Sequence, residues 1–175
     1  MSAVLTVYQR LALMSVQCNR VTDGRSLPGA IHHDFPADRW YEVDGSPDGL
    51  FLLLVDSAST AAFRNSVAVV VCRFIFDHGV AVSDLIDHAF VESRAMQSWV
   101  ETTARRWPPA GRHSGWALQC GTYSLGNLNL LAASTLAVHE RGNVGYLVHA
   151  TATVLDGSAD HADLLETVQT VNFVD

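Results

Sequence analysis

Residues 116–155 constrain the fold of this chain more than any other stretch. Three apolar runs, Trp116–Tyr123, Leu128–His139 and Val144–Leu155, follow one another with only Ser124-Leu125-Gly126-Asn127 and Glu140-Arg141-Gly142-Asn143 between them. Each connector carries Gly followed by Asn, residues that accept the left-handed backbone of tight hairpin turns. Connections this short can only join antiparallel neighbours, because a parallel pair needs a crossover of a dozen residues or more. The chain is therefore committed to a largely antiparallel sheet.

The rest of the sequence extends that sheet and covers it. Leu50–Val55 and Ser66–Phe76 read as strands joined through Asp56–Asn65, and Trp40–Val43 as a short strand before them. Val67, Val69 and Val71 share one face of their strand, with Ala68, Val70 and Cys72 on the other. A strand apolar on both faces belongs at the centre of a sheet covered on both sides. Val82–Val100 is expected to be the main helix: Ser83 as N-cap, Asp84 and Asp87 at its positive end, and Leu85, Ile86, Ala89, Phe90, Met96 and Trp99 at helical spacing. Ser158–Asn172 reads as a second helix with Leu164, Leu165, Val168 and Val171 inward. Ala3–Met14 fits either a helix (Val4, Val7, Tyr8 and Leu11 on one face) or a strand, Leu13–Val21 looks extended, and Ser26–Pro36 is a loop by composition. The expected class is α+β, a largely antiparallel sheet packed by helices, in a single domain over residues 1–175.

Composition narrows function mainly by exclusion. A net charge of −7 with no basic stripe disfavours nucleic acid and anionic membranes as partners. All eleven basic residues are Arg, so Schiff-base, Walker-type and kinase-type lysine chemistry is ruled out. No apolar segment approaches the roughly 18 residues needed to span a bilayer. Met1–Cys18 is apolar enough to suggest a signal peptide, but it has no basic n-region and Arg10 interrupts it, so it reads as part of the fold. Cys18, Cys72 and Cys120 are far apart in sequence and odd in number, with no CxxC; unpaired thiols of this kind suit a reducing, cytoplasmic setting.

No catalytic, cofactor or metal constellation is expected. The most suggestive cluster is His32-His33-Asp34, a conceivable metal or hydrolase site. In an extended segment, however, the two imidazoles point to opposite faces and cannot readily share an ion. His139 and His149 flank the last hairpin; a two-residue Gly142-Asn143 turn pairs His139 with Tyr146 and His149 with Leu136, which again separates the rings. His78, His88, His113 and His161 stand alone, with an exposed contact to Asp84 expected for His88. There is no nucleophile elbow, and Gly121 and Gly126 lack the lysine of a phosphate loop.

Binding residues are easier to nominate. Arg105, Arg106 and Trp107 precede Pro108-Pro109, and Arg and Trp on a stiff loop suit a protein contact. Val70, Phe74, Phe90, Trp99 and Leu147 could line an apolar ligand pocket between sheet and helices. The leading expectation is a noncatalytic protein-interaction or accessory module, with a small-ligand carrier as the alternative and a His-based hydrolase or metal enzyme behind both. The apolar strands 66–76 and 128–138 also permit a homodimer.

The layout resembles the mycobacterial LpqN-type lipoprotein family and the wider PsbP-like α/β sandwich fold. The residues carrying the likeness are Phe35-Pro36-Ala37-Asp38-Arg39-Trp40, the strand pair within Leu50–Phe76, the helix from Val82, and Gly115-Trp116 leading into Gly121-Thr122-Tyr123. The meander and the final Asp163-Leu164-Leu165 helix complete it, so that it covers residues 25–173. The chain departs from that family in lacking the lipoprotein signal and acylated cysteine. The resemblance implies an α/β sandwich acting as a noncatalytic adaptor or accessory protein.

Overall fold

The computed structural model describes residues 4–60, 63–109, 114–159 and 161–174. It begins with a helix, α1 (Val7–Met14), closed by a capping box in which Thr6 and Gln9 exchange hydrogen bonds. Ser15–Val21 then runs on as β1, so the ambiguous N-terminal stretch is helix followed by strand. The remaining strands are β2 (Ala30–His32), β3 (Trp40–Val43), β4 (Leu52–Asp56), β5 (Ser66–Phe76), β6 (Val100–Trp107), β7 (Gly115–Leu125), β8 (Leu128–Arg141), β9 (Val144–Leu155) and β10 (Asn172–Val174).

Eight of these strands form one sheet in the order β3-β4-β5-β9-β8-β7-β6, with β1 also on β5. Every ladder is antiparallel. β4 pairs with the first half of β5 and β1 with the second half, so two strands share one side of it. The Gly142-Asn143 turn sets the register that opposes His139 to Tyr146 and His149 to Leu136.

Covering elements lie on both faces. On one, α3 (His161–Gln169) packs over β8 and β9, and a small β2–β10 ribbon lies beside it. Leu164 and Val168 of the helix bury there with Val67, Val69, Val148 and Ala150 of the sheet. On the other face α1 and a 3-10 helix (Val82–His88) bury Val7, Leu11, Leu85 and Ile86 against Phe74, Leu136, Val138 and Leu147. Enclosing side chains such as Phe74 and Leu147 contributes about 2–3 kcal/mol each. Phe74 fits only because Gly145, beside it on β9, has no Cβ to meet its ring. The α+β class and the dominance of antiparallel pairing are as the sequence implies.

Two expected helices differ. Val82–Val100 is not one helix: the 3-10 turn ends at His88, α2 spans only Val91–Arg94, and the chain turns into β6 at Val100. Leu85, Ile86 and Phe90 do bury: Val82 and Leu85, three apart, share one face of the 3-10 helix, and Phe90 lies beyond its end as the N-cap of α2. Ser83 does not cap it; the N-cap is Ala81, with no side-chain bond. What ends the helical stretch is the β-branched and aromatic content of 99–107, which suits a strand. Ser158–Asn172 likewise contracts to α3, and its last residue begins β10, paired with β2.

Candidate functional site

α1 and the 3-10 helix cover only part of their face of the sheet. Beyond them β7, β8 and β9 present Tyr123, Ala132, Ser134, His149, Thr151 and Thr153 as the floor of a cleft. Glu92, Ser93, Met96 and Trp99 form its wall, and the cleft encloses about 280 Å³. The floor is rich in hydroxyls and small side chains, whereas Phe74, Leu136, Val138 and Leu147 fill the neighbouring covered region.

Trp99 is held over this floor by backbone geometry. Ser98 adopts a φ of 65°, the left-handed region that a residue with a Cβ seldom occupies. That turn lays the indole on Gly121, where a Cβ would stand 2.5 Å from ring atom Cζ2. Tyr123 lies alongside, with ring centroids 6.3 Å apart. Behind the indole, Glu101 accepts from Arg94 Nε and Nη2 at 2.8 and 2.7 Å and from Gln119 Nε2 at 2.7 Å. The Arg94 bonds, followed by that of Gln119, hold the Glu101 carboxyl below its usual range against the opposing effect of burial. The Trp99 N–H points toward the same carboxylate without meeting full hydrogen-bond geometry.

His149 is the titratable centre of the cleft. Its Nδ1 lies 2.8 Å from the Tyr8 hydroxyl, and its Nε2 lies 3.4 Å from Thr151 Oγ1. With the phenol donating to Nδ1, the Nε2 proton faces Thr151. Although the residue keeps some contact with solvent, burial pushes the imidazole down to about 4. It is neutral near pH 7, and both nitrogens are occupied. Burial raises Tyr8 and Glu92 above their ordinary values. The site thus offers neutral hydrogen-bonding groups under an aromatic wall.

Of the residues nominated for a pocket, Trp99 alone lines this cleft. Phe74, Phe90 and Leu147 are buried in the adjoining core, and Val70 packs on it half-buried. Trp107 does not sit on an exposed loop. It is the last residue of β6, directly opposite Trp116, and the two rings lie against each other, tilted by 33°, with centroids 4.2 Å apart. Arg106 is engaged by Asp87 at 2.8 Å and covers Phe90, while Arg105 remains exposed. His32 pairs with Asp34 at 3.0 Å on the surface, and His33 turns toward Phe35. Among the described residues no group of three or more His, Cys, Asp or Glu is placed to hold a metal ion. His139 lies against Phe173 on the face opposite His149. His88 bonds the Leu5 carbonyl at 2.8 Å, while Asp84 pairs with Arg10. His113 lies outside the described residues.

Sequence reading missed His149, Tyr123 and Thr151 as one group. The available signal was the run of hydroxyls at alternate positions, Thr151 and Thr153, in an otherwise apolar strand. A second recess of about 340 Å³ lies between Phe35–Trp40 and α3. Its Arg39 is engaged by Asp56, which makes it the weaker candidate.

The architecture is that of an α+β sandwich whose sheet carries helices on both faces and the Trp99 cleft on one of them. That fold is the LpqN-type fold: the chain superposes on the crystal structure of LpqN, involved in cell envelope biogenesis of Mycobacterium tuberculosis, with a TM-score of 0.74. The match covers 95% of this chain and 94% of that one at 12% sequence identity, so the likeness is one of fold. No family model matches the sequence, and no curated protein matches it. No helix among the described residues is long and apolar enough to cross a membrane.

Proposed function

We propose that the protein is a noncatalytic accessory module that binds a small ligand in the Trp99–Tyr123 cleft. The observation carrying this reading is the uncovered part of the sheet face, where neutral hydroxyl groups form a floor beneath a positioned indole. A ligand with one flat apolar surface and several neutral hydrogen-bonding groups matches that chemistry. The noncatalytic part is supported by His149, whose nitrogens are both engaged and whose low pKa leaves little driving force for proton abstraction near pH 7.

A thermal-shift panel of lipids and aromatic metabolites tests the reading. A true ligand at a hundred times its Kd stabilises by about 2.7 kcal/mol, and Trp99→Ala should abolish the shift. A flat panel, or a shift indifferent to Trp99, removes it. A second reading, docking of a protein partner, is favoured by β6, an edge strand whose Val100 is 60% exposed. Loss of a pulled-down partner on Val100→Pro, with Trp99→Ala binding normally, would select it. The cytoplasmic setting is part of the proposal, and fractionation of cells carrying tagged protein tests it.

A further inference from the structure

Two of the three cysteines, 54 positions apart in sequence, come together on the face that carries the cleft. β1 pairs with β5 so that Cys18 opposes Phe74 and Arg20 opposes Cys72. Cys18 and Cys72 are therefore diagonal neighbours on one side of the ladder. That register sets the two thiols beside each other, and each perturbs the titration of the other. Cys18 is exposed, whereas Cys72 is only 3% exposed and belongs to the core beneath α1. Arg20 adds a cation beside the pair, its guanidinium 5.8 Å from the Tyr8 ring centroid. Cys120 is buried in the core on the opposite face and cannot reach either.

We propose that Cys18 and Cys72 form a peroxide-oxidised thiol pair, with Cys18 the attacked sulfur and Cys72 the resolving one. The Cys18 thiolate attacks one oxygen of a hydroperoxide, the O–O bond breaks, and the departing oxygen takes a proton to leave as alcohol or water. Cys18 is then a sulfenic acid. The Cys72 sulfur attacks it, the S–S bond forms, and hydroxide leaves with the Cys72 proton as water. Two thiols are oxidised by one hydroperoxide, and a thiol reductant reverses the change.

The division of roles follows from the surroundings. The Cys72 S–H and, secondarily, Arg20 bring Cys18 down to about 7, while donation to Cys18, then burial and the Cys18 charge, raise Cys72. Diagonal partners lie about 7–8 Å apart at Cα, beyond the usual disulfide span of up to about 6.8 Å, so the bond requires the backbone to shift inward. β1 can close that gap because β5 is its one partner strand and the ladder already shifts register between Ser15 and Gln17.

Hydrogen peroxide added to the purified full chain, followed by tryptic mapping without reductant, tests the pairing. Cleavage at Arg places the cysteines on separate peptides, 11–20, 65–73 and 113–141. Peptide 11–20 should appear joined to 65–73, lighter by two hydrogens than the free pair, and reductant should separate them. Cys18→Ser should abolish the link and Cys120→Ser should leave it intact. Cys72→Ala should accumulate dimedone-reactive sulfenic acid on Cys18 that the wild type does not. Links through Cys120, links between two copies of 11–20, over-oxidised Cys18 without a link, or no reaction of Cys18 at all would each overturn the proposal.

Discussion

Replacing His149 by Asn should uncouple the stability of this protein from mild acid. The imidazole is held neutral by burial at about 4, against about 6.5 for an unfolded histidine. Between those values the unfolded chain binds a proton that the folded chain refuses. The stability tied to this group is thus complete above about pH 6.5 and lost as pH falls through 4. The whole interval corresponds to at most about 3 kcal/mol, of which about 2 kcal/mol falls between about pH 7 and pH 5. Asn retains an acceptor where Nδ1 meets the Tyr8 hydroxyl but does not titrate. Tyr8, Glu92 and Arg20 stay in place in both proteins, so their contributions cancel in the comparison. Urea denaturation followed by circular dichroism at the two pH values should show the wild type losing about 2 kcal/mol more than His149→Asn. Parallel losses, within about 0.5 kcal/mol, would refute the assignment of a buried neutral imidazole.

Three further perturbations address other parts of the fold. Arg39→Ala removes bonds of 2.7 and 3.1 Å to Asp56, whose carboxylate is buried and otherwise held by the Ala58 N–H and Asn65 Nδ2. It should cost about 2 kcal/mol in urea denaturation, less than a fully enclosed pair because Arg39 itself reaches solvent. Gly121→Ala would set a methyl group 2.5 Å from Trp99 Cζ2 and 2.6 Å from the Val100 carbonyl oxygen, so it should lower stability by about 1–3 kcal/mol and change the near-ultraviolet circular dichroism of the displaced indole. Oxidation that links Cys18 to Cys72 closes a loop of about 54 residues and should stabilise by up to about 4 kcal/mol, read as a reductant-sensitive rise in denaturation midpoint.

The sheet was legible in the sequence because its signals are local. The Gly-Asn turns at 126–127 and 142–143 set the pairing of β7, β8 and β9, and the two-faced apolar pattern of 66–76 placed β5 between neighbours. The segment 82–100 misled because apolar spacing alone does not separate a 3-10 helix from an α-helix. The strand propensity of Val100, Thr102 and Thr103 was outweighed by that spacing. The ribbon of β2 and β10 joins residues about 140 apart, a pairing that no local pattern announces. The same holds for the cleft. Tyr8 meets His149 across 141 positions, and Trp99 reaches Tyr123 through a left-handed Ser98 that the residue type does not suggest. Trp107 read as an exposed anchor because nothing local in Arg105–Pro109 announces its pairing with Trp116 on β7.

The shared side of β5 has a consequence for how the molecule assembles. β6 to β9 are sequential neighbours and can zip together with little loop-closure entropy, whereas β1 has to find a strand more than fifty residues downstream. β4 occupies Ser66–Val69 and leaves the stretch from Val71 to Phe76 open until β1 arrives. During synthesis the N-terminal strand and its helix must therefore wait, exposed, for their partner to emerge. Until they dock, the vacant half of β5 is a template for the N-terminal strand of any neighbouring copy, which makes strand exchange at β1 the natural misassembly of this fold.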